Sequence, residues 1–236
     1  MILAYAYFLL TLLVMILLIS IGSVAIKRSI SDRKKIKLKI VLLTGGLLLW
    51  QIYIYIVAST GILQDFNFPP KFVLFLVLPA FIFTGIFIGL NRKKNWITQI
   101  PEQWLIYFQS FRIIVETLFV FSVTEGVLHN NVTIEGYNYD MIMGLSAPII
   151  AYLVFNANWL PRRALLLWNY LGLVVLASVI FVFTSTIFLP EIYGETTNLM
   201  PKEFGAYPYV TVAGFLMPVA VFMHILSIVQ LKRNGL

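Results

Sequence analysis

The sequence predicts an all-α fold: an integral membrane bundle of seven transmembrane helices, with the N-terminus outside and the C-terminus cytoplasmic. Three observations predict it. Charged residues make up 11% of the 236 while hydrophobic ones make up 60%, against roughly 25% charged in ordinary soluble domains, and the mean hydropathy is +0.91. Seven runs reach the about 20 mostly apolar residues a helix needs to cross a hydrocarbon slab of about 30 Å. The basic residues lie almost wholly on one side of those runs.

The spans fall near 2–26, 40–63, 72–91, 102–128, 141–160, 164–189 and 209–231, and the whole chain, 1–236, reads as one transmembrane domain. The first run is expected to be a retained helix and not a cleaved signal peptide. Its charges, Lys27 and Arg28, follow the apolar stretch instead of preceding it, and no small-x-small site stands before Lys27. The third, fifth and seventh spans each carry a proline, at Pro79, Pro148 and Pro218, at similar distances from the next basic cluster. Kinks at one common depth follow from that spacing.

Orientation follows from lysine and arginine, which are retained on the cytoplasmic side. One side collects the 27–39 cluster, Arg92, Lys93, Lys94, Arg162, Arg163, Lys232 and Arg233, and the other only Lys71 and Lys202. Asp65, Glu135, Asp140, Glu191, Glu195 and Glu203 are assigned to the outer loops. The formal charge of +7 therefore reads as a topology signal and a contact with anionic lipid headgroups, with no nucleic-acid footprint. A multi-pass plasma (inner) membrane protein is the expected localisation. An Asn-Val-Thr acceptor at Asn131 faces outside and has meaning only in a glycosylating cell.

Several chemistries are disfavoured. The chain has no cysteine and only two histidines, His129 and His224, so thiolate sites and multi-histidine metal or haem ligation are not expected. No cofactor is expected. The size and topology are those of three-one-three sugar transporters and of rhodopsin-like proteins, but neither likeness reaches residues. There is no Pro-Gln pair for the first, and no lysine in the seventh span for a retinal Schiff base; Met217 and His224 stand there instead.

The chemistry-bearing residues concentrate in the fourth span, whose core reads FQSFRIIVETLF. Glu102, Gln109 and Glu116 recur every seven residues, and Arg112 lies three after Gln109 and four before Glu116, so all four share one helix face. Arg112 and Glu116 fall about 16 and 22 Å from Pro101, deep in hydrocarbon, where an unpaired ion costs several kcal/mol. The two must neutralise each other, meet other polar groups or line water. Other helices offer Gln51, Asn156, Asn169, His224 and Thr84 at comparable depth. The candidate substrate- or ion-binding layer is thus Gln51, Gln109, Arg112, Glu116, Asn156, Asn169 and His224. A small transporter or channel leads among functions, since intramembrane charges mark substrate or ion pathways. A receptor-like sensor or an accessory subunit acting through a protein partner or a second copy follows. A membrane-embedded enzyme comes last, because no nucleophile, base and orienting group assemble from the spacing.

Overall fold

The computed structural model describes residues 2–235, and among them it is all-helical, with no strand. We label the helices α1 (Ile2–Ser29), α2 (Arg33–Ser59), α3 (Val73–Asn91), α4 (Glu102–Thr124), α5 (Asp140–Phe155), α6 (Arg162–Phe188) and α7 (Val212–Arg233). All but α5 are long and apolar enough to cross a membrane. At 16 residues, α5 rises only about 24 Å, short of the hydrocarbon thickness.

The ends have local causes. Helix α2 begins at Arg33, well before the expected residue 40, because the Asp32 carboxylate accepts from the backbone N–H of Lys34 and Lys35, a cap that offsets the cost of starting a helix inside a run of lysines. Helix α5 stops at Phe155, short of the expected 160. Its last carbonyls are taken by a tight turn, with Ala157 N–H on Tyr152 O at 2.9 Å and Trp159 N–H on Leu153 O at 2.9 Å, and Pro161 follows.

Helix α7 is the hub, buried over most of its length and packed on α6, α4 and α3, whereas α2 buries only Ile54 and Ala58. The core gathers around α7 from Tyr7, Leu10 and Val14 of α1, Val115 and Phe119 of α4, and Leu176 and Phe183 of α6. The outside is apolar. Leu49 of α2 is 67% exposed and Leu90 of α3 is 71% exposed, a surface that water would not tolerate over whole helices and that acyl chains would cover. The fold fits a multi-pass membrane protein.

Two of the three prolines build the same device. Proline lacks an N–H, so it frees the carbonyl four residues earlier. Ahead of Pro79 and Pro218 the chain widens into π turns, Val73–Val77 and Val212–Leu216, and the carbonyls four residues before are those of Phe75 and Gly214. Both are satisfied by α2. Tyr53 Oη donates to Phe75 O at 2.8 Å, and Trp50 Nε1 donates to Gly214 O at 2.8 Å. Pro148 instead sits inside the continuous helix α5, so the third occurrence lacks the wide turn. We expect Trp50→Phe and Tyr53→Phe each to cost about 1 kcal/mol, the usual net value of such a bond, and to loosen α2 first. Thermal melting with hydrogen exchange over 33–59 checks this; unchanged protection in both variants would mean that α2 is held by packing alone.

Candidate functional site

Helix α4 is interrupted where its polar face begins. At Gln109–Ser110 the hydrogen bonds tighten, Gln109 N–H to Ile106 O at 3.0 Å and Arg112 N–H to Gln109 O at 3.2 Å, and the face then carries Gln109, Arg112 and Glu116 into the bundle. All three are buried, at 0%, 1% and 1% exposure. Two glycines let neighbouring helices approach. A Cβ at Gly144 of α5 would stand 2.9 Å from Ile113 N and 3.3 Å from Arg112 Cβ, and one at Gly172 of α6 would land on the His224 imidazole.

Arg112 does not pair with Glu116. Its guanidinium grips Asp140, with Nε donating to Oδ2 at 2.7 Å and Nη2 donating to Oδ1, the two-pronged geometry that makes arginine–carboxylate pairs strong. Asp140 is the first residue of α5 and is buried, so its assignment to an outer loop is corrected. The shortness of α5 explains it, because the loop from 125 to 139 folds down over the helix start, burying Val132, Thr133 and Asn138. Asn138 Oδ1 accepts from the Asp140 N–H at 2.9 Å, and its Nδ2 donates to Glu116 Oε1 at 2.9 Å and to Val132 O at 3.0 Å.

The network runs on into α7 and α6. Arg112 Nη1 lies 3.1 Å from His224 Nε2, and His224 Nδ1 lies 2.9 Å from Asn169 Oδ1. Arginine can only donate, so Nε2 accepts, and the ring proton on Nδ1 donates to Asn169. Asn169 Nδ2 then donates to Leu165 O at 2.7 Å and to Ser227 Oγ at 3.0 Å. Four helices contribute to one continuous polar chain. Among the described residues one atom in it is orphaned: Glu116 Oε2 is buried with no hydrogen-bond partner. A cavity of about 30 Å³ adjoins it, lined by Arg112, Glu116, Asp140 and apolar residues of α4, α6 and α7. That is room for one or two water molecules.

Of the seven residues placed in one layer by depth, Arg112, Glu116, His224 and Asn169 come together. Gln109 packs beside them and donates to Ala220 O at 3.1 Å. Gln51 lies apart on α2, its amide atoms buried and unpartnered. Asn156 is exposed at the C-terminal end of α5, where the early stop of that helix leaves it outside the bundle, and Thr84 lines a separate cleft. Asp140, Asn138 and Ser227 were missing from the layer. The signal for the first two was present, since Asn-Tyr-Asp directly before an apolar run is a helix-start pattern that carries its carboxylate into the first turn. No group of three histidine, aspartate or glutamate side chains with metal-holding geometry gathers among the described residues. Comparisons with protein-family models, curated proteins and solved structures find no match for this chain.

Proposed function

We propose that the chain is a small membrane transporter of seven spans, N-terminus outside and C-terminus cytoplasmic, that takes up and releases a proton at Glu116. The observation that carries this reading is the orphaned Glu116 Oε2 beside a water-sized cavity, in a cluster where one guanidinium faces two carboxylates. Arg112 and Asp140 cancel each other, so the three groups are neutral when Glu116 holds a proton and carry a net charge of −1 when it does not. In hydrocarbon that difference amounts to several kcal/mol. Anything that moves α7, or brings a cation to the cavity, shifts the proton. The cavity is too small for an organic cargo, which supports proton or water as the species handled at this layer.

The test is flux in proteoliposomes across small anions, cations and metabolites. Glu116→Gln keeps the shape and the bond to Asn138 but cannot titrate, so we expect it to lose the pH dependence of flux while retaining the fold. Full proton-dependent flux in Glu116→Gln contradicts the assignment. If wild type moves nothing in a broad screen, the second reading leads: a receptor-like sensor or an accessory subunit acting through a partner. The small size of the cavity supports that alternative. For the topology, reporter fusions are expected to place the basic 27–39 segment and the C-terminus in the cytoplasm and the 190–209 segment outside; a C-terminus outside would remove the seven-span count.

A further inference from the structure

We infer that the cleft between α1, α2, α3 and α7 is a binding site for an anionic phospholipid from the leaflet on the basic side of the molecule, with an acyl chain along α2 and the phosphate against Lys39 and Lys94. The cleft is on the opposite face of α7 from the charged cavity and does not depend on the transport reading. Its volume is about 810 Å³, within the roughly 300–1,000 Å³ of pockets that enclose whole ligands. Its deep end is formed by Trp50, Gly214, Phe215 and Pro218, and its mouth by Ser29, Lys39, Asn91 and Lys94.

The opening has a structural cause. Helix α2 is pinned at mid-length, where Trp50 and Tyr53 cap the carbonyls freed by the two prolines, and it crosses α1 closely at Gly22, where a Cβ would meet the Leu43 side chain at 2.5 Å. Beside that crossing it leaves a gap toward α3 and α7, lined on its own side by Leu42, Gly46 and Leu47, and a Cβ at Gly46 would meet nothing within 4 Å. The helix from Lys39 to Trp50 rises about 16 Å, half of the about 30 Å hydrocarbon slab, so the cleft is one leaflet deep.

Charge complementarity selects the occupant. The walls are apolar, from Leu43, Phe83, Phe87 and Phe222 among others, and among the described residues no aspartate or glutamate lines the cleft. Lys39 and Lys94 at the mouth are exposed, and neither makes a salt bridge among the described residues. An apolar slot of leaflet depth ending in two uncompensated ammonium groups matches an acyl chain with a phosphate headgroup.

Native mass spectrometry of the full chain, offered phosphatidylglycerol and phosphatidylcholine with identical acyl chains, tests this. Wild type is expected to retain phosphatidylglycerol over phosphatidylcholine by about tenfold, and Lys39→Glu with Lys94→Glu to abolish that preference. Lys35→Glu with Lys37→Glu makes the same charge change outside the cleft and is expected to keep it. Gly46→Trp fills the slot and is expected to lower retention of both lipids, with thermal melting reporting that each variant is folded. Equal loss in the two double variants would reduce the effect to general surface attraction and overturn the proposal. So would unchanged lipid retention in Gly46→Trp. If Gly46→Trp dissociates an oligomer and leaves lipid retention intact, a second copy of the chain covers the cleft and the lipid site is refuted.

Discussion

Arg112→Ala is expected to lose about 3 to 5 kcal/mol of stability, while Arg112→Leu with Asp140→Leu loses far less. Breaking one side of a buried pair strands the other charge in low dielectric, whereas removing both leaves apolar surface of similar volume. Arg112 is 1% exposed and Asp140 5% exposed, so bulk water does not solvate a charge left alone there. A second double variant makes the test specific. Arg112→Leu with Glu116→Leu still leaves the Asp140 carboxylate without its cation and should melt like the single variant. Unfolding in detergent, read as a double-mutant cycle, separates these outcomes. If the Glu116 double variant is the one that recovers, the pairing runs along α4 and not across to α5.

Gly172→Ala is expected to be a strongly damaging single-methyl change. Its Cβ would land on the His224 ring, and that ring has no slack, because one nitrogen lies 3.1 Å from Arg112 Nη1 and the other 2.9 Å from Asn169 Oδ1. Overpacking costs typically 1 to 3 kcal/mol, and here the hydrogen bonds that move with the ring add to it. The helices must separate or the imidazole must leave. Adding His224→Ala removes the obstacle, so the double variant should be less destabilised than the sum of the two single changes. Strict additivity would show that the close approach of α6 and α7 does not pass through His224.

The parts of this molecule that hydrophobic run length governs were legible in the sequence. Six apolar helices stand where the runs placed them, and the larger boundary errors have local causes: the Asp32 cap at the start of α2, the turn after Phe155 at α5, and the positive-φ Gly61 and Gly126, ahead of which α2 and α4 stop at Ser59 and Thr124, short of the expected 63 and 128. Site residues were legible where helix periodicity governs. Gln109, Arg112 and Glu116 share a buried face as their three- and seven-residue spacing requires. Pairing was not legible, because depth along separate helices says nothing about which faces meet. Asn156 has the right depth and lies outside the bundle, while Asp140, assigned to a loop, closes the ion pair. The proline spacing did not show its use: Pro79 and Pro218 free carbonyls for Tyr53 and Trp50, and Pro148 continues a helix.

The central claim is that Glu116 exchanges a proton inside the bundle while Arg112 and Asp140 hold each other. Infrared difference spectroscopy of the protein in lipid, stepping the pH and comparing wild type with Glu116→Gln and Asp140→Asn, reads it most directly. A carboxylic-acid carbonyl band that appears and disappears with pH in wild type, persists in Asp140→Asn and is absent in Glu116→Gln is the result this account predicts. A band that survives in Glu116→Gln, or no titrating carboxyl at all in wild type, would contradict it.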